Sequence, residues 1–173
     1  MALIPKYHLV AAHFSVTAHQ EIIAGMVVKL DVNGSVVIAD GSTNEVALGL
    51  AGDTKSTSVS GLPSTNASSQ GAFVNRVSDT FDETKASGRM TVYHSGGEFA
   101  TNEYEAGTYA INDPLYVSAN GKLTKTPNIS TQIIGYVTQV PGPYDSGVPG
   151  LDTLPPESGS MSLGNYLELK LVI

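Results

Sequence analysis

Twice along this chain an Asn-Gly dipeptide separates two short runs of alternating apolar residues. The first copy runs from Gly25 to Ile38 around Asn33-Gly34, and the second from Asp113 to Thr124 around Asn120-Gly121. Asn-Gly tolerates φ > 0 at both central positions of a type I′ turn, and the twist of that turn matches paired strands. Each copy therefore predicts a β-hairpin closed by a type I′ turn. Gly34 and Gly121 are expected to be the least replaceable turn residues, because a β-branched side chain at φ > 0 is strained. The likeness continues past the turns. Val46-Ala47-Leu48-Gly49-Leu50 follows the first hairpin, and Ile133-Ile134-Gly135-Tyr136-Val137 follows the second. One supersecondary unit is used twice: hairpin, polar loop, third strand with a central glycine. The pattern predicts an all-β fold, a compact β-barrel or β-sandwich with two long loops and little helix.

Composition narrows the classes of function. At 173 residues the chain fits one domain, residues 1–173. Charged residues make up only 14%, too few for long amphipathic helices. The net charge is −7, and the arginines are Arg76 and Arg89 alone. A duplex-binding domain needs a basic stripe to neutralise phosphates, so no direct nucleic-acid partner is expected. The acidic balance also argues against an anionic membrane. No apolar run approaches the ~18 residues of a membrane span. The stretch from Met1 to His8 lacks the basic start and apolar core of a signal peptide, so assembly in a cytoplasm is expected. Cysteine is absent, which excludes disulfides and thiolate metal sites.

Strands are predicted from Tyr7 to Val16, within the first unit from Glu21 to Ala51, and from Arg89 to Tyr93. Gly96-Gly97 is read as a turn that returns the chain through Glu98 to Thr101. The second unit lies within Tyr104 to Val140, and Leu167, Leu169 and Leu171 alternate in a closing strand. Residues 52–71, crowded with Ser and Thr, and residues 141–164, with five prolines, are predicted long loops. Connections of that length are usually functional or ordered by a partner. Phe73, Val77 and Phe81 recur at helical spacing, against an equally plausible irregular excursion.

A search for chemistry yields no catalytic residue, no cofactor site and no metal site. His8, His13 and His19 are spaced by five and six, whereas zinc sites use i, i+4 on helices or i, i+2 on strands. Gly-x-Ser-x-Gly is missing. Asp31-Val32-Asn33-Gly34 echoes a calcium loop only in its turn residues, because no closing Glu follows at the required position. Asn66-Ala67-Ser68 and Asn128-Ile129-Ser130 match the glycosylation pattern, and are expected to be chance matches because no secretion signal is expected. Tyrosines are the remaining candidates. Tyr93, Phe99, Tyr104, Tyr109 and Tyr116 cluster, and the chain has no Trp. Core packing and cross-strand pairing explain most such residues. Tyr93, Tyr104 and Tyr144 are kept as candidate partner contacts, since buried aromatic anchors dominate many interfaces.

Taken in order, these residues resemble a family. The segments are Ala24-Gly25-Met26-Val27-Val28 with its Asn-Gly hairpin, and Ala47-Leu48-Gly49-Leu50-Ala51. After these come Ser87 to Phe99, Gly107 to Val117, Asn120 to Leu123, and Ile134 to Val137. The ordering is similar to the decoration, or cement, proteins of tailed-bacteriophage heads, over roughly Glu21 to Val140 plus the last strand. The resemblance implies a non-enzymatic structural protein on the capsid outer surface. It would bridge and stabilise major capsid protein subunits, commonly as a trimer, after assembly in the host cytoplasm. The competing reading is a carbohydrate- or host-surface-binding β module that uses the tyrosines.

Overall fold

The computed structural model describes residues 3–7, 10–17, 20–55, 88–143 and 165–173. These residues form strands and turns with no helix. The strands are β1 (Leu3–Tyr7), β2 (Val10–Ser15), β3 (Val27–Leu30), β4 (Val36–Ile38), β5 (Gly49–Ala51) and β6 (Arg89–His94), then β7 (Glu98–Thr101), β8 (Pro114–Val117), β9 (Leu123–Thr124), β10 (Gly135–Pro143) and β11 (Asn165–Leu171). They make a six-stranded sheet in the order β1-β7-β11-β10-β8-β9 and a five-stranded sheet in the order β2-β6-β5-β3-β4. Every strand pairing is antiparallel. The fold is all-β and sandwich-like. In each sheet, residues just after the first strand reach the far side of the hairpin, through Val16↔Val36 and Tyr104↔Leu123. A single bridge is not a ladder, so neither sheet closes into a barrel.

Apart from β1, the two sheets are copies. Strands β2 to β6 make one repeat and β7 to β11 the other, each in the spatial order first, fifth, fourth, second, third. The duplication extends to individual hydrogen bonds. Met26 N–H donates to Ile23 C=O, and Asp113 N–H to Ala110 C=O, in turns that enter the hairpins. The third residue of each turn has positive φ, +102° at Gly25 and +68° at Asn112, as a type II turn requires. Leu48 N–H donates to Val28 C=O and Ile134 N–H to Leu115 C=O. Ala51 N–H donates to Met26 C=O and Val137 N–H to Asp113 C=O.

The hairpin turns correct the type I′ expectation. Gly34 N–H donates to Asp31 C=O and Asp31 N–H to Ser35 C=O; Gly121 and Ser118 repeat this with Ser118 and Lys122. Gly34 and Gly121 have φ of +76° and +73°, whereas neither Asn33 nor Asn120 has positive φ. This is the three-residue loop of a type I turn followed by a G1 bulge. The sequence signal named the right glycines and the wrong turn, because the first residue of each loop caps it. Asp31 Oδ1 accepts from Asn33 N–H at 2.9 Å and Ser35 N–H at 2.8 Å. Ser118 Oγ accepts from Asn120 N–H at 3.3 Å and Lys122 N–H at 3.2 Å. Such side chains mimic a backbone turn.

The third-strand glycines also share one purpose. A Cβ on Gly49 would collide with the Tyr93 carbonyl of β6, and one on Gly135 would lie 2.5 Å from the Lys170 carbonyl of β11. Both glycines let the fifth strand approach the fourth. The main core spans both repeats, joining Val27 and Leu50 to Phe99, Leu115, Val137 and Leu169. A second core holds Ile22, Val28, Val36, Ala51, Met90 and Val92, all from the first repeat. Val27 and Val28 thus enter different cores, as do Leu50 and Ala51. The five-stranded sheet is apolar on both faces.

Three further expectations change. Gly96-Gly97 does not close a hairpin: β6 lies in the five-stranded sheet and β7 in the other. Ser95, Gly96 and Gly97 have successive positive φ of 62°, 100° and 106°, which turns the chain out of one sheet and into the next. The crossing is fixed by Ser95 N–H to Ile173 C=O and Leu171 N–H to Gly97 C=O. Leu3–Tyr7 forms an extra edge strand that alternation did not reveal. The predicted loop boundaries also shift. Lys55 pairs with Ile22, and β10 continues through Pro141 to Pro143. The rest of both predicted loops and the Phe73–Phe81 region lie outside the described residues. Both long connections join the fourth strand of a repeat to its fifth.

Candidate functional site

The joint between the repeats is polar and tightly specified. Val27 N–H donates to Gly121 C=O at 2.7 Å, and Ser130 N–H to Gly41 C=O at 2.8 Å. Ala47 N–H donates to the Gln132 side chain at 2.8 Å, and Asn128 Nδ2 to Asp40 C=O at 3.2 Å. Gly41 sits at φ +66°, and a Cβ there would be 2.8 Å from the Val117 carbonyl. Its loop is held by Glu45, whose side chain is 1% exposed. That carboxylate accepts from Lys29 Nζ at 2.5 Å, Asp40 N–H at 3.0 Å and Gly41 N–H at 2.8 Å. Burial alone would lower the Lys29 pKa. Its hydrogen bonds to Glu45 and Asp40 outweigh that and hold it above the ordinary value. This cluster is a clamp on a loop, with its charges already paired.

The tyrosines divide into packed and exposed sets. Tyr93 is half-buried against the main core, its ring 5.2 Å from that of Phe99. Tyr104 stands edge-on to Tyr109 at 5.7 Å and donates its hydroxyl to Asn165 C=O at 3.3 Å. Burial raises the Tyr104 pKa. At Tyr109 burial, the nearby Glu105 and Tyr104 push it up to about 12. Tyr93 and Tyr104 therefore serve packing within the described fold, and Tyr144 lies outside the described residues. The turn residues Asn33, Gly34, Asn120 and Gly121 sit at two different places. Gly34 has nothing near its missing Cβ, whereas Gly121 is pressed against Ile38 and the Val27 carbonyl.

Alignment of the repeats picks out a surface that the sequence reading missed. In the first repeat Val27, Leu50 and Tyr93 are neighbours across three strands, and all face the main core. The equivalent neighbours in the second repeat are Pro114, Tyr136 and Lys170. Leu50 is 0% exposed, whereas Tyr136 is 39% exposed. Lys170 is also exposed, Pro114 and Tyr116 are half-buried, and exposed Val172 follows β11. The repeats therefore pack head-to-tail. The outer face of the first is used internally, whereas on the second the end of that face around Tyr136 and Lys170 is open to solvent and Ala100 and Glu168, further along it, are buried. Two open grooves, of about 380 and 410 Å³, are lined by other residues. One lies between Gln20, Lys29 and Ile38, and the other between Asn44, Ile129 and Gln132. Among the described residues no group of three or more His, Asp or Glu side chains is placed to hold a metal ion. No helix there is long and apolar enough to cross a membrane.

The fold and this face define a duplicated all-β, sandwich-like protein whose second repeat has a partly open outer sheet face. The chain matches no protein-family model, no curated protein and no solved structure.

Proposed function

We propose that this chain is a structural protein that decorates a tailed-phage head, bridging major capsid protein subunits from outside and acting without catalysis. The observation that carries the reading is the open end of the outer face of the second repeat. Tyr136 stands there between Pro114 and Lys170, on a sheet face that the first repeat uses for packing. An aromatic beside a cation on a rigid sheet suits docking onto protein, where few aromatic or Arg anchors dominate the energy. The resemblance in the order of its sequence segments supports the same role. A trimer and an acidic surface fit it: the chain stays soluble before assembly, and weak contacts are multiplied over many equivalent sites. A contact strengthens a shell only through preference for the assembled state.

The test compares heads with and without the protein under heat or osmotic shock, together with a Tyr136→Ser, Lys170→Glu variant. Heads lacking the protein should rupture earlier, and the variant should bind heads more weakly while melting like the parent. If bare heads survive equally well, and the purified protein binds a defined glycan through Tyr136, the carbohydrate-binding reading replaces this one.

A further inference from the structure

The chain is acidic, at −7, and it spends its cations internally. The cations with described side chains are Lys29, Lys55, Arg89, Lys122, Lys125 and Lys170. Lys29 is paired with Glu45 and Asp40, and Lys122 with Glu103 at 3.5 Å. Lys125 Nζ donates to the Thr108 carbonyl. Lys55 is buried, and neither it nor Arg89 is free. Lys170 differs. It is exposed, and among the described residues no carboxylate pairs with its ammonium. Even Glu98, directly opposite on β7 and half-buried, makes no ion pair with it.

This uncommitted cation stands at the open end of the second outer face. A row across four strands places Lys170 between Glu98 and Tyr136, with Pro114 beyond. The first repeat has Tyr93 in the place of Lys170, seated in the joint with its ring 5.2 Å from that of Phe99. An aromatic that serves an internal contact is thus replaced by a charge where the face is open. The surroundings are otherwise apolar: Tyr136 is 39% exposed and Val172 is 47% exposed, two residues past Lys170 on the same side. In water the ammonium is well solvated. Once a partner covers Tyr136, an ammonium left without a counter-charge would be costly. Any surface that docks here has to answer it.

We propose that the partner at this end presents a protein carboxylate to Lys170 and apolar groups to Tyr136 and Val172. The inference rests on the decoration reading and adds the chemistry of the receiving shell surface: an acidic residue set in an apolar patch. A lone lysine is a point charge and matches one carboxylate, whereas a phosphate group is usually met by several cations or N–H donors. A net charge of −7 repels an acidic surface at long range, within the limits of salt screening. The pair therefore contributes register and selectivity at contact and does not speed the encounter.

The test measures binding of the full chain to heads that lack it, for the wild type and three variants of Lys170. Lys170→Arg should bind within about twofold of the wild type, Lys170→Gln should be weaker by roughly fivefold or more, and Lys170→Glu weaker still. All three should melt like the wild type, since the side chain has no partner within the described fold. The same heads are then treated with carbodiimide and ethanolamine, which turns surface carboxylates into neutral amides. Amidation should weaken the wild type much as Lys170→Gln does, and should weaken Lys170→Gln far less, because groups that pair do not add. Equal weakening of both proteins by amidation would overturn the carboxylate partner. If the wild type binds untreated heads and Lys170→Gln binds them equally well, this inference falls and the decoration reading stands. If the wild type does not bind heads at all, both fall together.

Discussion

Leu50 and Tyr136 occupy one position in two copies of a single design. Each follows the glycine of a third strand, each is register-paired to a hairpin strand, and each neighbours the fifth strand of its sheet. Leu50 is sealed in the main core, and Tyr136 meets solvent. The backbone is therefore indifferent to which face is buried. Burial was assigned by how the repeats were stacked, and side chains followed, with Val27 answered by Pro114 and Tyr93 by Lys170. In a head-to-tail stack one end of the design is always left over, and that leftover face is where a partner can be met at no cost to the fold.

The sharpest way to break this comparison is to truncate both members. Leu50→Ala should cost about 2–5 kcal/mol, the range for a buried leucine that leaves a cavity. Tyr136→Ala should stay within about 0.5 kcal/mol, as surface changes do. Urea unfolding of both variants measures it, and similar losses would mean that the second face is not free. The hairpin turns give an intermediate effect. Alanine at Gly34 or Gly121 should cost about 1–2 kcal/mol for the left-handed backbone. At Gly121 a further 1–3 kcal/mol or so is expected, because the new Cβ meets Ile38 and the Val27 carbonyl across the joint. Equal melting shifts would show that the second turn does not brace the first repeat.

The smallest effect is electrostatic. Hydrogen bonds from Ser35 N–H and then Asn33 N–H hold the Asp31 carboxyl below its ordinary value of 3.8. A folded-state pKa depressed in this way adds stability above the unfolded value, and that stability is lost as pH falls through the folded one. Asp31→Ser makes the first turn resemble the second, which has Ser118 in that place. The melting difference between parent and variant should shrink between about pH 6 and about pH 3. A difference that is constant with pH would assign the effect to turn geometry instead of charge. Ser118→Ala should show no such dependence over the same interval.

What the sequence made legible was local. Asn33-Gly34 and Asn120-Gly121 marked both hairpins, and the central glycines Gly49 and Gly135 marked both third strands, because turn chemistry and close approach act over a few residues. Sheet membership was not local. The alternation in β6 and β7 is the same whether they form a hairpin or separate, and only the backbone at Ser95, Gly96 and Gly97 decides. The direction of the tyrosines was not legible for a related reason. A period of two says that Tyr93 and Val92 face opposite ways, but in a sheet apolar on both sides it does not say which way is out. Aligning the two repeats in sequence would have helped: Pro and Lys where the first copy has Val and Tyr signal the exposed copy.

The strand order has a kinetic consequence. In each sheet the fifth strand lies between the first and the fourth, so β6 separates β2 from β5 and β11 separates β7 from β10. Until that strand arrives, only the bridges Val16↔Val36 and Tyr104↔Leu123 join the first strand of each half to its hairpin and third strand. The hairpins can form in microseconds, but the closing strand must first cross its long connection and then make both ladders together. Refolding should therefore show an early phase that is unaffected by lengthening residues 56–87, followed by a slower one that lengthening delays. The nascent second half stays open along β7 and β10 until β11 has emerged from the ribosome.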